Sequence, residues 1–244
     1  MTYDRSIKLF DEAHAPEKID KILASQSINK GKFLTLAHAH SYLCQMQVIH
    51  NLRGVKRVLE VGPGEAYCAN NLRNLGLCYD TLDFETTHSP TYVADFATYE
   101  PSFEHSQLYD LTCAFQVLEH MPYDMFKKNL LKLKAMSNKY VFISLPYSCR
   151  GFSVNLNIQN GQNNRWLRKF DFYLGTNLPN RRYRTEYMEE FPWAVHYWEI
   201  GRKGFKLKKV LNDIESVGLT VIKRFHSQNP YHYFILCELG ENMA

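Results

Sequence analysis

The sequence predicts an α/β fold with a doubly wound sheet of seven strands, mostly parallel and closing on an antiparallel terminal hairpin. Three observations carry this. Strand-like and helix-like runs alternate from Val55 to Pro146, the pattern of a parallel sheet covered on both faces. The stretch Val58-Leu59-Glu60-Val61-Gly62-Pro63-Gly64 reads as a buried strand stopped by a glycine-rich turn and handed to a helix. Two apolar or alternating runs, Leu219–Phe225 and Tyr233–Glu238, flank a connection containing Asn229-Pro230, a turn signal.

Taken in order, residues 1–53 read as a helical N-terminal extension or lid. Pro16 starts one helix over Pro16–Leu23, and a second is expected from Phe33 to Leu52, after Gly31. The first strand is Arg57–Val61, followed by a helix from Ala66 to Leu75 that ends at Gly76. Cys78–Phe84 is the second strand, with Asp83 near its end, and Tyr92–Ala94 a short third ending in Asp95. Leu108–Phe115 is the fourth, followed by a turn from Gln116 to Pro122 and a helix from Tyr123 to Met136. Tyr140–Leu145 is the fifth. Ligands of such sheets sit beyond the carboxyl ends of the strands, where Glu60, Asp83, Asp95 and Phe115 fall.

Residues 147–200 break the alternation and are rich in asparagine, arginine and aromatics. A structureless loop of this length is improbable in a compact domain. The segment is expected to be an insertion of short helices covering the sheet edge. Lys206–Val217 then reads as the last helix, stopped by Gly218.

Composition bounds the function. The chain has 244 residues, 45% apolar and 22% charged, with a net charge of +4, too weak a basic balance to argue for nucleic acid. Six scattered cysteines with no C-x-x-C pair point to buried thiols in a reducing compartment. No run is long and apolar enough to span a membrane, and the first residues lack a signal-peptide core. The expectation is a cytoplasmic protein without membrane contact. His38 and His40, two apart on one helix, point to different faces, and no metal site is expected.

The glycine turn is the chemical feature. A dinucleotide site would want a third glycine where this chain has Tyr67, whose bulk crowds a pyrophosphate. Gly62 and Gly64 remain, preceded by Glu60 and followed, one strand later, by Asp83, which can accept two hydrogen bonds from a ribose. A ribose with a non-phosphate tail fits these parts better than a dinucleotide.

Four stretches together resemble the successive motifs of class I S-adenosylmethionine-dependent methyltransferases, closest to the type 11/12 group. They are Val58–Gly64, Asp83, Val93-Ala94-Asp95-Phe96, and Asp110–His120 with its Val117-Leu118-Glu119-His120 run. The resemblance covers Val55–Leu145 and the terminal hairpin. It implies a Rossmann-like fold, with residues 54–146 as the cofactor-binding core, 147–200 as the substrate-side insertion, and 201–244 as the last core helix and hairpin. It implies S-adenosylmethionine as cofactor and S-adenosylhomocysteine as product. Gly62, Pro63 and Gly64 would admit the methionine part, and Glu60 would hold the loop or the amino group. Asp83, beside Phe84, would bind the ribose, with Glu85 as a second candidate. Asp95 and Phe96 would meet the adenine, and Phe115 and Gln116 would line the cofactor near its methyl group. The chain departs from many such enzymes in carrying Ala66 where they have a third glycine.

Methyl transfer needs alignment and exclusion of water, and a base only when the acceptor must lose a proton. His120 and His196 are the candidate bases. The turn after the fourth strand lacks the Asn/Asp-Pro-Pro-aromatic pattern used on planar amino groups, and Cys149 lacks the context of a catalytic thiol. Tyr147, Arg165, Trp166, Arg181, Arg182 and Tyr197 are the candidate substrate contacts. Six basic residues meet five acidic ones over residues 151–200, which disfavours a general nucleic-acid surface. The expected partner is a small or medium polar metabolite, a sugar or nucleotide-linked compound among them, methylated on oxygen or nitrogen. An RNA- or protein-modifying methyltransferase and a non-catalytic cofactor-binding subunit are the alternatives. Oligomeric state is not encoded in any motif.

Overall fold

A computed structural model describes residues 35–101, 109–160, 165–179 and 195–240. Its centre is a sheet in which β1 (Arg57–Val61) lies between β2 (Cys78–Asp83) and β4 (Tyr109–Phe115), parallel to both. The full strand order is β3-β2-β1-β4-β5-β9-β8, where β3 is Tyr92–Val93 and β5 is Ser137–Pro146. β8 (Leu219–His226) and β9 (His232–Leu239) form the hairpin, and β9 runs antiparallel to β5. The seven expected strands are therefore present, with the reversal of order at β1/β4 that opens a crevice at the strand ends.

Alternation along β1 explains why both sheet faces need cover. Val58 packs with Ile49 of helix α1 (Leu36–Asn51) and with Ala69 and Leu72 of α2 (Tyr67–Asn74). Leu59 and Val61 point the other way, into a larger core with Leu130 and Leu133 of α3 (Phe126–Met136) and Val210 and Ile214 of α4 (Leu207–Ser216). Helix α1 starts where Thr35 caps it, its hydroxyl accepting from the His38 amide at 3.3 Å. Helix α4 ends at Gly218, whose φ of 75° closes the turn into β8. The earlier expected helix, Pro16–Leu23, lies outside the described residues.

The insertion departs from the sequence expectation. Over its described part from Cys149 to Asn177, in place of short helices, β6 (Cys149–Asn160) and β7 (Arg165–Asn177) form a long antiparallel ribbon; residues 180–194 lie outside the described residues. The reason is a period of two. Phe152, Val154, Leu156 and Ile158 alternate with Ser153, Asn155, Asn157 and Gln159, and cross-strand pairing sets Phe152 opposite Leu174, Val154 opposite Phe172 and Leu156 opposite Phe170. These seven apolar side chains gather on one face, yet each is 42–56% exposed. At its root the ribbon is held by aromatic contacts, Tyr173 stacking on His226 at 4.2 Å and meeting Tyr147 at 5.4 Å.

Candidate functional site

A cleft of about 220 Å³ opens at the carboxyl ends of β1, β2 and β4. That is several times the roughly 30 Å³ of one water, so it is ligand-sized. Its lining includes Gly62, Gly64, Asp83, Phe84, Glu85, Asp95, Phe96, Gln116 and His120, with Val61, Leu82, Val117 and Met121 supplying apolar wall.

The glycine turn forms one wall because of its backbone. Gly62 and Gly64 have φ of 64° and 53°, a region that disfavours side chains. A Cβ on Gly62 would lie 2.6 Å from the Val117 side chain, whereas one on Gly64 would enter open space. Ala66 adopts the same left-handed conformation, φ 54°, as the residue that leads into α2, and Gln116 does so at φ 58°. Left-handed alanine costs about 1–2 kcal/mol. Such outliers on both sides of one cleft mark a backbone held for a purpose beyond packing.

The carboxylates differ in state. Asp83 Oδ1 accepts from the Glu85 amide at 3.0 Å, and burial pushes its pKa up to about 6. Asp95 Oδ1 accepts from the Ala97 amide at 2.9 Å, while Oδ2 is buried with no hydrogen-bond partner among the described residues. Glu60 is not part of the lining. It is buried beneath the cleft, accepts from the Tyr79 hydroxyl at 2.9 Å, and burial raises its pKa to about 7. Pro63 is also absent from the lining, and Phe115 packs edge-on against Phe142 in the core, 5.1 Å between centroids.

On the far side of the cleft the chain brings His120 and His196 together, ring centroids 4.8 Å apart. The sequence offered both as bases without indicating that they meet. Three bonds fix the segment carrying His196 to the turn carrying His120. The Tyr197 amide donates to Glu119 O at 2.9 Å, Trp198 Nε1 donates to Met121 O at 3.1 Å, and His120 Nδ1 donates to Val195 O at 3.2 Å. Burial drives the His120 pKa down to about 3, and His196 adds to this. His196 Nδ1 lies 2.9 Å from Glu199 Oε1, and Glu199 Oε2 accepts from Arg202 Nε at 2.8 Å. Between them sits Glu119, fully buried, its pKa raised to about 8 by that burial and by Glu199 nearby. Glu119, Glu199 and Arg202 carried no role in the sequence reading. The Leu118-Glu119-His120 run was the one available signal, since Glu119 precedes a candidate base.

Of the substrate candidates, Tyr147 and Tyr197 have described side chains, and neither lines the cleft. Tyr147 packs among Tyr173, His226 and Tyr233 at the ribbon root. Arg165 and Trp166 belong to β7 at the end of the ribbon away from that root, and their side chains are outside the description, as are Arg181 and Arg182 altogether. Tyr197 lies next to the histidine cluster, through its amide bond to Glu119.

No protein-family model and no curated protein matches the chain. Solved structures do. The chain is similar to 1,6-didemethyltoxoflavin-N1-methyltransferase of Burkholderia thailandensis, bound to 1,6-didemethyltoxoflavin and S-adenosylhomocysteine. That likeness has a TM-score of 0.52 and 10% identity over 97% of this chain and 89% of that one. It is similar to the N-methyltransferase NodS of Bradyrhizobium japonicum, in complex with S-adenosylhomocysteine, with a TM-score of 0.52 and 9% identity over 92% and 98% of the two chains. A glycopeptide N-methyltransferase, MtfA, complexed with S-adenosylmethionine, gives a TM-score of 0.50 and 10% identity over 82% and 94%. The chain has the fold that these methyltransferases share.

Proposed function

We propose that the protein is an S-adenosylmethionine-dependent methyltransferase acting on oxygen or nitrogen of a small or medium polar metabolite, a sugar or nucleotide-linked compound among the candidates. The observation that carries this is one cleft bounded by bare, left-handed glycines, two strand-end aspartates and His120, whose ring meets that of His196 behind it.

The cofactor reading passes a test of fit. The buried Oδ2 of Asp95 has no partner among the described residues, so a ligand donor such as an adenine amine would satisfy it. Gly64 leaves open space where a side chain would intrude. Phe96, Leu82 and Ala97 give apolar surface for a base, and Asp83 offers a carboxylate to ribose hydroxyls. The fold shared with proteins solved with S-adenosylmethionine or S-adenosylhomocysteine supports the same reading.

Bound there, the cofactor supplies a methyl group already activated on a sulfonium. The protein then has to bind, align and exclude water. Gly62 and Gly64 permit close approach of the methionine part, and Glu60 acts from below the loop by holding Tyr79. Gln116 is fixed by its bond to the Ser144 hydroxyl at 3.1 Å, so its strained backbone is held in place at the cleft. Val117 and Met121 exclude water beside it. His120 and His196 form the acceptor side. Because Nδ1 of His120 donates to a carbonyl, Nε2 carries the lone pair. His120 stays neutral at ordinary pH, since burial opposes its protonation.

Calorimetric titration with S-adenosylmethionine and with S-adenosylhomocysteine tests the reading. Saturable one-to-one binding is expected. No heat at millimolar ligand would remove its basis.

A further inference from the structure

The turn after β4 holds a group of side chains that simple methyl transfer does not require. Glu119, His120 and His196 bring a carboxylate oxygen and two ring nitrogens within 4.8 Å of one another. Glu119 is fully buried, and among the described residues neither of its oxygens has a hydrogen-bond partner outside its own residue. Glu199, equally buried, shows how a carboxylate is neutralised a few ångströms away. It receives Arg202 Nε at 2.8 Å, the Tyr231 hydroxyl at 2.9 Å and His196 Nδ1 at 2.9 Å. A buried carboxyl lacking such partners is relieved by holding its proton or by meeting a cation.

The histidines are oriented in the same sense. His120 gives its Nδ1 proton to the Val195 carbonyl, and His196 Nδ1 faces the Glu199 carboxylate at 2.9 Å and the Tyr231 hydroxyl at 3.0 Å. With Nδ1 engaged in this way, Nε2 of each neutral ring is the nitrogen left for a further partner. Outer partners of this kind, one carbonyl and one carboxylate, are what fixes the ring of a metal-binding histidine.

We propose that Glu119, His120 and His196 hold a divalent first-row transition metal ion, of the Mn²⁺, Fe²⁺, Co²⁺ or Zn²⁺ type, on the acceptor side of the cleft. This departs from the sequence expectation of no metal, which weighed only His38 and His40. Two imidazoles and one carboxylate are a donor set for such ions and leave coordination positions open. Bond lengths of about 2.0–2.2 Å set ligand atoms roughly 3.0–3.6 Å apart, so side chains whose ligand atoms now lie up to 4.8 Å apart would close by more than about 1 Å on binding. His120 also lines the cleft, so an ion held by it would adjoin the space shared with Gly62, Asp83 and Gln116.

The role of the ion rests on the methyltransferase reading; its binding does not. Held there, the ion would supply Lewis-acid chemistry, lowering the pKa of an acceptor hydroxyl, whose proton would pass to solvent. The oxygen lone pair then forms the O–CH₃ bond, the C–S bond breaks with its electrons returning to sulfur, and a neutral thioether leaves. The acceptor class narrows accordingly to hydroxylated compounds methylated on oxygen.

The test uses the full chain stripped with chelator and titrated with Co²⁺, followed by its visible absorption, and with Mn²⁺, followed by paramagnetic resonance. One ion per chain is expected. Glu119→Gln and His196→Gln should weaken binding by more than about 100-fold, and Glu199→Gln, which only orients His196, by about 10–100-fold. Glu119→Gln keeps volume and replaces one buried polar group by another, so its fold should survive; an unchanged melting transition and unchanged S-adenosylhomocysteine affinity check this. No saturable ion binding by the wild type, or wild-type binding by Glu119→Gln and His196→Gln, overturns the site. Cofactor binding without metal binding would sink the metal site alone, and metal binding without cofactor binding would sink the methyltransferase reading alone.

Discussion

The two sides of the cleft are built by different means. On the β1–β2 side the site is mostly backbone. Gly62 and Gly64 shape a turn, and Asp83 and Asp95 stand at strand ends with one oxygen on a nearby amide. These parts come from one short stretch of chain. On the β4 side the site is a side-chain cluster, joined from the turn after β4 and a segment some 75 residues later. Backbone sites follow from local sequence, because strand, turn and helix start are each set by neighbouring residues. Side-chain clusters follow from tertiary packing, which here means Trp198 and Tyr197 docking onto the turn at Glu119 and Met121.

That contrast can be broken first at Glu60, which lies beneath the backbone side. Its folded pKa, about 7, exceeds the ordinary 4.5. A raised acid contributes its full stability below about pH 4.5 and loses it as pH rises through 7. Glu60→Gln has no such titration, so its stability relative to wild type should improve between pH 4.5 and pH 8 by up to about 3 kcal/mol. Denaturant melts at the two pH values measure this. A pH-independent difference would mean that the acid is not held neutral by burial.

A comparable effect is expected in binding on the same side. Asp83→Ala should weaken S-adenosylhomocysteine by about 1.5–3 kcal/mol, the range for hydrogen bonds to a charged group. The histidine variants should leave that affinity unchanged, since they belong to the other side. Calorimetry on Asp83→Ala and His196→Gln in parallel separates the two. Equal losses in both would show that the sides are not independent.

The smallest effect tests backbone strain. Ala66→Gly relieves a left-handed alanine at the start of α2 but adds freedom to the unfolded chain, so a net stabilisation of about 0.5–1 kcal/mol is expected. Thermal melts check it. A destabilised Ala66→Gly would imply that the alanine methyl, which is buried, contributes more packing than strain costs.

The same contrast explains what was legible in the sequence. The sheet and its seven strands followed from periodicity and turn residues, and the strand-end residues Asp83 and Asp95 were visible with them. Phe115 was expected at the cleft because it ends β4, but alternation along β4 sends it into the core against Phe142. The ribbon was legible in principle from the alternation Phe152, Val154, Leu156, Ile158. Aromatic and asparagine content drew attention instead to loops and short helices, although content without period does not decide between helix and strand. Glu119 could not be read as a site residue from local sequence. Its burial and its meeting with His196 depend on a contact far along the chain.

The central claim is that the backbone side of the cleft takes S-adenosylhomocysteine. Its most direct test is a crystal structure of the complex. The adenine amine should lie at Asp95 Oδ2, the ribose hydroxyls at Asp83, and the homocysteine chain along Gly62 and Gly64. A ligand bound elsewhere, or an adenine that leaves Asp95 Oδ2 without a partner, would contradict the account.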